Sequence, residues 1–326
     1  MKVALTGAAG HLGAALLQEL SKRNIPVKAL IRDDHRSLDE LPVEIARGDL
    51  SQPDSLKAFM QDCDTVIHCA ALISVNGDPD GLVQRTNVEG TRSVVDTALQ
   101  SGIKRFIHIS SIHAFQQQPS LEMLDEMRQP VNEKGFAYDR SKLAGQQIAL
   151  AANDRGMEVM VMHPTSIIGP YDFKPSKMGK VLIDLYKGRL PFIFNGGFDF
   201  CDCRDVANAI VNATTMGRPG QAYLLAGKWH SLKQVAQLLS TASSKKINPL
   251  SLPPAAAKAG LPFAKLWGAI QRKEPLYTIE ALDAIFNGNR FISSAKATAE
   301  LNYTSRPFEE TIFDSFHWFK NKGYLV

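Results

Sequence analysis

Short apolar runs alternate with longer amphipathic segments along residues 1–165. The apolar runs have the length of buried strands, and the segments between them repeat apolar residues every three or four positions, as helices do. Strands that are apolar on both faces and joined by helices are typical of a parallel sheet covered on both sides. The predicted strands are VALTG (3–7), VKALIR (27–32), VEIARGDL (43–50), TVIHCAA (65–71), RFIHISS (105–111) and EVMVMHP (158–164). We therefore predict an α/β fold with a doubly wound parallel sheet.

The alternation stops after Pro164. Residues 198–227 have the pattern of a strand, a helix and a further strand that returns to the sheet, whereas the chain from 228 onward is mostly helical in pattern. We predict a Rossmann-type domain from residues 1–165 and about 198–227, and a smaller, mostly helical C-terminal substrate domain from about 166–197 and 228–326. The smaller domain should lean over the carboxyl edge of the sheet, where doubly wound proteins bind ligands.

Residues 249–270 are the most apolar part of the C-terminal region and contain Pro262, Phe263 and Trp267. Their prolines and few basic residues favour a cap over an apolar pocket rather than a helix on a membrane surface. No run of about 18 apolar residues is available to span a bilayer, and the N-terminal apolar run is too short for a signal peptide. We expect a cytoplasmic protein without a membrane partner.

Charge and cysteine content exclude other classes. A formal charge of +4, from 37 Lys and Arg against 33 Asp and Glu, is too small to favour a nucleic-acid partner. Four cysteines among 326 residues do not make a disulfide framework. Cys201 and Cys203 lack a second Cys or His pair at ligand spacing, so buried packing is expected and no metal site. A small molecule remains as the expected partner.

The segment TGAAGHLG (6–13) lies between the first predicted strand and the first predicted helix. Its glycines, Gly7, Gly10 and Gly13, would let a phosphate approach the backbone and the positive end of the helix. The strand before it and the helix after it favour nucleotide binding, with His11 and Leu12 inside the loop.

The second strand ends where a dinucleotide-binding fold contacts the adenosine ribose. An acidic residue there would favour NAD, but this chain has Arg32, with Arg36 close behind. A guanidinium pairs well with the 2′-phosphate of NADP(H). The neighbouring Asp33 and Asp34 offer the opposite interpretation, in which a carboxylate approaches the ribose. We predict NADP(H) in preference to NAD(H).

The third and fourth strands also end in residues suited to line a nucleotide. Asp49, followed by Leu50, either accepts a hydrogen bond from the adenine amino group or acts as a helix cap or turn residue. Ala70 and Ala71 are small enough for a cofactor to pass closely. His68, inside the same apolar strand, is expected to be a hydrogen-bonded core histidine.

Eight motifs occur in a fixed order along the chain: TGAAGHLG (6–13), GDL (48–50), HCAA (68–71), NVEGT (87–91), ISS (109–111), YDRSK (138–142), HPTSIIGP (163–170) and DCRDVA (202–207). Single motifs of this kind occur by chance. The ordered set resembles the extended short-chain dehydrogenase/reductases, the NAD(P)-dependent epimerase/dehydratase family, and within it the dihydroflavonol 4-reductase-like branch. The resemblance covers essentially the whole chain.

The resemblance implies a Ser-Tyr-Lys catalytic site made of Ser111, Tyr138 and Lys142. Ser111 would hold the substrate oxygen, Tyr138 would act as acid or base, and Lys142 would also bind the nicotinamide ribose. A phenol has a pKa near 10, and a neighbouring ammonium, helped by the positive nicotinamide of the oxidised cofactor, should favour the phenolate and lower that pKa. The resemblance further places the nicotinamide carboxamide against the backbone of His163, Pro164 and Thr165.

The substrate is less constrained than the chemistry. Nucleotide-sugar members of the family commonly place an arginine for the diphosphate where this chain has Phe198, although Lys174, Lys177 or Lys180 could replace it. Phe198 and the apolar C-terminal segment favour a less polar ketone or aldehyde, contacted by His113 and by residues 166–180.

Three functions are therefore compared. The first is an NADP(H)-dependent oxidoreductase that reduces a ketone or aldehyde by hydride transfer, with a small-molecule carbonyl or alcohol as its partner. The alternatives are a sugar or nucleotide-sugar epimerase/dehydratase and a non-catalytic NAD(P)-binding sensor, which would typically lack the tyrosine or lysine. The resemblance also implies a possible homodimer through the helices that carry NVEGT and YDRSK.

Overall fold

The structure is a computed structural model that describes residues 1–39, 41–256 and 278–325. The expected cap formed by Pro262, Phe263 and Trp267 lies outside the described residues.

A seven-stranded parallel sheet forms the larger part of the molecule. Its strands are β1 (Val3–Thr6), β2 (Val27–Ile31), β3 (Val43–Arg47), β4 (Thr65–His68), β5 (Arg105–Ile109), β6 (Glu158–Pro164) and β10 (Gln221–Leu225). The spatial order is β10-β6-β5-β4-β1-β2-β3, and every pair is parallel. The predicted doubly wound fold is confirmed, and its order reverses between β1 and β4, where such folds bind ligands.

Helices cover both faces of this sheet and build the C-terminal region. In chain order they are α1 (His11–Lys22), α2 (Pro53–Met60), α3 (Leu82–Gln84), α4 (Gly90–Gln100), α5 (Ala137–Ala151), α6 (Lys177–Tyr186), α7 (Cys203–Asn212), α8 (Leu232–Ser243), α9 (Ile279–Asn287), α10 (Ala295–Leu301) and α11 (Phe308–Asn321). One apolar cluster lies under α1 and α7, and another lies under α2, α4 and α5. The two clusters bury both faces of the sheet, as the continuous apolar strands require.

The helical segment that leads into α4 begins before the NVEGT motif (87–91). Residues 82–100 form a continuous helical segment in which a π-helical turn, Arg85–Glu89, connects α3 to α4. The Asp78 carboxylate accepts hydrogen bonds from the backbone N–H of Val83 and Gln84, at 2.8 and 2.9 Å. This cap supplies acceptors to free N–H groups of the first turn, so the helix begins earlier than its apolar pattern indicates.

The predicted strand at residue 198 forms, but it does not return to the seven-stranded sheet. β9 (Gly197–Asp202) pairs with β7 (Ser166–Ile168) and with β11 (Lys228–Ser231) in a three-stranded sheet. β10 occupies the edge of the large sheet beside β6. β10 is therefore the further strand that was expected to return to the sheet, whereas the exact domain boundaries stay a prediction.

The C-terminal region has its own apolar core. Helices α6, α8, α9 and α11 pack their apolar faces together with the three-stranded sheet, around side chains such as Phe200, Leu239 and Phe316. Two short strands, β8 (Phe192–Phe194) and β12 (Leu250–Leu252), form a parallel pair in the same region. The region is mostly helical, as predicted.

Candidate functional site

Ser111, Tyr138 and Lys142 come together at the carboxyl end of β5. Ser111 follows the strand and is buried, and its Oγ accepts a hydrogen bond from the His113 backbone N–H at 3.2 Å. Tyr138 and Lys142 lie one turn apart at the start of α5. The Lys142 side chain is buried and its Nζ donates to the Ile109 carbonyl oxygen at 2.6 Å. The structure thus places a hydroxyl, a phenol and an ammonium at one point of the sheet edge.

The electrostatics of the three groups differ from the expectation. Burial raises the pKa of Tyr138 to about 12, against the lowering effect of its hydrogen bond with Ser111. Burial also lowers the pKa of Lys142 to about 8. In the chain without cofactor, desolvation outweighs any lowering of the tyrosine pKa, and the lowering expected from the lysine together with an oxidised nicotinamide stays a prediction. Tyr138 is a neutral phenol, which suits a proton donor.

The glycine loop between β1 and α1 has the shape of a phosphate cradle. Gly7 has φ 74°, and a Cβ there would lie 2.6 Å from the Ala70 backbone nitrogen. A Cβ at Gly13 would lie 2.1 Å from the Gly7 carbonyl oxygen. α1 begins at His11 with Gly10 as its N-cap and without a side-chain cap, so its first N–H groups can bind an anion.

The other residues assigned to the loop and to the nearby strand ends take specific places. The His11 Nε2 lies 2.9 Å from the Pro170 carbonyl oxygen, so the imidazole connects the glycine loop to the segment that follows β7. Leu12 is part of the apolar core. Ala70 donates its backbone N–H to the Thr6 Oγ1 at 3.2 Å, and Ala71 is exposed. Leu50 packs against the backbone at Gly90.

The predicted adenosine end contains two arginines in different states. Arg32 follows β2 with its side chain 79% exposed, and its guanidinium is 3.9 Å from the Asp49 carboxylate. Arg36 instead forms a two-point pair with Asp34, at 3.0 and 2.7 Å. The hydrogen bond from Arg36 lowers the pKa of Asp34 to about 2. Arg32 is therefore the more available of the two for a phosphate.

Asp49 makes a turn at the end of β3. Its Oδ1 accepts from the Ser51 backbone N–H and hydroxyl, at 3.0 and 2.7 Å. Asp49 therefore has the turn role, which was the alternative to a contact with adenine. Its second carboxylate oxygen faces Arg32. Arg47, the last residue of β3, was missed by sequence reasoning, although its Nη1 donates to the Arg32 carbonyl oxygen at 3.4 Å. The strand register, which pairs Ile31 with Arg47, is the signal that could have found it.

His163 and its neighbours close the nicotinamide end of the predicted site. The His163 Nδ1–H donates to the Ser111 carbonyl oxygen at 2.9 Å, and burial lowers the pKa of the imidazole to about 4. Its Nε2 is buried without a partner among the described residues. Pro164 ends β6, and the Thr165 backbone N–H donates to the Leu225 carbonyl oxygen at 3.3 Å. His163 therefore lies beside Ser111, and the contact of these residues with a carboxamide stays a prediction.

His68 is a hydrogen-bonded core histidine, as predicted. Because the Thr91 hydroxyl donates to the Asn87 carbonyl oxygen at 2.7 Å, its oxygen accepts from the His68 Nε2–H at 3.1 Å. The His68 Nδ1 accepts from the Thr6 hydroxyl at 2.8 Å. Burial lowers the pKa of His68 to about 3, so the imidazole is neutral and structural.

Gly145 lets α5 approach this network closely. A Cβ at residue 145 would lie 2.9 Å from the Asn87 carbonyl oxygen and 3.6 Å from the His108 ring. The Asn87 side chain binds the Leu72 backbone and the Ser141 hydroxyl, so its backbone has little freedom to move. The glycine therefore sets the distance between α5, which carries Tyr138, and the preceding helical segment.

Gly145→Ala is expected to lower the free energy of unfolding by about 1–2 kcal/mol, although alanine normally stabilises a helix by about 1 kcal/mol over glycine. The clash with the Asn87 carbonyl should exceed the gain in helix propensity. Chemical denaturation of both proteins measures the difference. An unchanged or higher stability would contradict the close approach.

Metal and membrane features are not found among the residues that the structure describes. No group of three His, Cys, Asp or Glu side chains is arranged there to hold a metal ion. Cys201 and Cys203 are free and buried, which agrees with the packing role expected for them. Across the same described ranges, every helix is too short or too polar to cross a bilayer.

Comparisons with known proteins agree with this geometry. Residues 3–226 match the model of the NAD dependent epimerase/dehydratase family. Sterol demethylase protein B from Methylococcus capsulatus is 30% identical, with 100% of each chain covered. A putative dihydroflavonol 4-reductase from Synechocystis sp. is also 30% identical, covering 98% of this chain and 95% of the relative. The crystal structure of gox2253 has a TM-score of 0.85 at 28% identity, covering 100% of this chain and 99% of that one.

Proposed function

Because the chain belongs to the NAD-dependent epimerase/dehydratase family and is an NAD(P)-dependent oxidoreductase of the extended short-chain dehydrogenase/reductase type, we propose that it reduces a ketone or aldehyde with NADPH. The observation that carries this proposal is Tyr138, a neutral phenol hydrogen-bonded to Ser111 one turn from a buried Lys142. A protonated phenol at neutral pH can supply the proton that reduction of a carbonyl requires.

The residues present fit a dinucleotide. We assign the pyrophosphate to the loop of Gly7, Gly10 and Gly13, in which a side chain at Gly7 or Gly13 would clash with backbone atoms and whose helix end lacks a cap. We assign the nicotinamide ribose to Lys142 and the carboxamide to the backbone at His163–Thr165. Bound NADPH supplies the hydride for the substrate carbonyl carbon.

Ser111, Tyr138 and Lys142 divide the remaining work. The Ser111 hydroxyl holds the carbonyl oxygen of the substrate beside the phenol, and Tyr138 donates its proton to that oxygen as negative charge develops there. The Lys142 ammonium, held at 2.6 Å by the Ile109 carbonyl, stabilises the phenolate that remains. Ser111 and Lys142 are buried and Tyr138 is half-buried, so little water screens their interactions and each is strengthened.

The preference for NADPH rests on Arg32, and we add Arg47 as a second candidate for the 2′-phosphate. Arg32→Asp is expected to lower kcat/KM for NADPH about 10- to 100-fold and to leave NADH turnover similar or improved, because a charge-assisted pair is replaced by repulsion. Steady-state kinetics with both cofactors measures the shift. Arg155→Asp is the control, since it makes the same charge change at a remote exposed pair. An unchanged NADPH to NADH ratio would overturn the NADP(H) assignment.

The local structure around Phe198 supports a weakly polar substrate. Phe198 lies in β9 opposite His230 and packs edge-on against Phe200, with ring centres 5.8 Å apart. It also packs against the apolar core of the C-terminal region. As a phenylalanine it carries no charge that could pair with a diphosphate. Two of the relatives described above are named for a sterol and for a dihydroflavonol, which supports the same substrate class.

A screen of cofactor oxidation tests the proposal. Purified protein is mixed with NADPH or NADH and with aromatic aldehydes, diketones and nucleotide sugars, and the absorbance at the nicotinamide band is followed. Turnover of carbonyl compounds supports reduction. Conversion of a nucleotide sugar without net cofactor oxidation would favour the epimerase/dehydratase alternative, and cofactor binding without any turnover would favour the sensor. The predicted homodimer stays a separate prediction.

A further inference from the structure

His113 and Asp139 form a pair beside Tyr138 that the proposed proton transfer does not use. The His113 Nδ1 is 3.3 Å from the Asp139 Oδ1. The imidazole packs edge-on against the Tyr138 ring, with ring centres 6.2 Å apart. The His113 side chain is 35% exposed, and no hydrogen bond among the described residues uses its Nε2.

The chain brings this pair to the site through short connections. His113 lies two residues after Ser111, in the 3₁₀ turn Ile112–Ala114 that follows β5. Asp139 directly follows Tyr138 in the first turn of α5. The end of β5 therefore positions both Ser111 and His113, and the first turn of α5 positions both Tyr138 and Asp139.

The surroundings of His113 are acidic. Burial lowers the pKa of its imidazole, but the hydrogen bond and charge of Asp139 and the charge of Asp283 on α9 outweigh burial and raise that pKa above 6.5. Glu280 also lies on α9. Burial raises the pKa of its carboxyl, and the nearby charge of Asp139 raises it further. A protonated imidazole with a free Nε2–H can donate a hydrogen bond, while the carboxylates of Asp139 and Asp283 that act on it disfavour an anionic ligand.

We propose that His113, oriented by Asp139, donates a hydrogen bond from Nε2 to a second, uncharged oxygen of the substrate. The substrate class is then a diketone or hydroxyketone rather than a simple ketone. This inference rests on the proposed reduction and adds a specificity-determining residue to it. His113 does not take part in the transfer of the proton from Tyr138.

The test compares two substrates that differ only in the second oxygen. A 1,3-diketone and the ketone with a methylene in place of its second carbonyl are reduced with NADPH by wild type, His113→Phe and His113→Gln. The phenylalanine keeps a ring against Tyr138, and the glutamine keeps a donor. We expect His113→Phe to lose about 10- to 100-fold more kcat/KM on the diketone than on the simple ketone, mainly through KM, with partial recovery in His113→Gln. Equal losses on both substrates would overturn the inference.

The pH dependence adds an independent readout. Above the pKa of His113 the neutral imidazole keeps its Nδ1–H on Asp139, so Nε2 can only accept a hydrogen bond. The KM for the diketone should therefore rise with pH in wild type, and the rise should begin at lower pH in Asp139→Asn. A KM that is independent of pH, or the same profile in both proteins, would contradict the role of the pair.

A binding measurement separates this inference from the proposed function. If wild type oxidises NADPH with neither ketone, the proposed reduction fails. A ligand-observed NMR titration of the same two ketones then decides on His113. Tighter binding of the diketone to wild type than to His113→Phe supports the assignment, and equal binding overturns it.

Discussion

Tyr138→Phe is expected to lower kcat for a good carbonyl substrate by about 10²- to 10⁴-fold, the usual contribution of a positioned proton donor. The substitution removes only the hydroxyl, and the ring can still pack edge-on against His113. Burial keeps the phenol of Tyr138 protonated at neutral pH, with its pKa raised to about 12. Lys142, whose pKa burial lowers to about 8, is the other group of the trio that could donate a proton at neutral pH. Steady-state kinetics over pH 6–9 measures the loss.

Two controls make the result specific. Tyr186→Phe removes a phenol from α6, where Lys245 lies over its ring 4.6 Å from the centre, and should leave kcat near wild type. The Kd of NADPH should also be nearly unchanged in Tyr138→Phe, since the phenol acts on the substrate. Full turnover by Tyr138→Phe would show that another group, with Lys142 the first to examine, supplies the proton.

Gly13→Ala is expected to raise the Kd of NADPH about 10- to 100-fold and to lower the melting temperature by a few degrees. The new methyl group would lie 2.1 Å from the Gly7 carbonyl oxygen and 2.8 Å from the Ala8 Cα, so the loop must move. Movement of Gly7 is restricted on its other side by the Ala70 backbone. Fluorescence titration with NADPH and thermal unfolding without cofactor measure the two effects.

Gly10→Ala is the matched control in the same loop. Its φ of −82° suits alanine, and the nearest atom to the new Cβ is the Gly7 carbonyl oxygen at 3.3 Å. The unfolding temperature without cofactor should therefore stay close to that of wild type. A Gly13→Ala protein that binds NADPH as wild type does would show that the loop does not hold the cofactor.

The strand prediction succeeded because burial on both faces leaves a continuous apolar run. The predicted runs nevertheless extended past the observed strands, as with VEIARGDL (43–50) against Val43–Arg47. The extra residues are those that leave the sheet at its carboxyl edge, where the site is built. A pattern of hydrophobicity cannot tell these residues from the strand, because they are also partly shielded from water.

The sheet to which β9 belongs is decided by interaction with distant parts of the chain. The residue pattern of β9 indicates a strand but not the sheet that it joins. β9 pairs with β11 in the three-stranded sheet, and β10 occupies the edge of the seven-stranded sheet beside β6. The sheet that β9 joins therefore does not follow from local residue types. Arg36, by contrast, pairs with Asp34 only two residues away, and its predicted contact with a phosphate stays a prediction.

The sequence by itself determined the fold class, the glycine loop and the Tyr138–Lys142 spacing, because periodicity and one-turn spacing are local properties of the chain. Only the tertiary structure decided the protonation and the surroundings of these groups. Burial makes Tyr138 a neutral phenol against the expected influence of Lys142, and folding brings Asp139 and Asp283 from two helices to His113. Desolvation and Coulomb energies depend on everything packed around a group, and that environment exists only after folding.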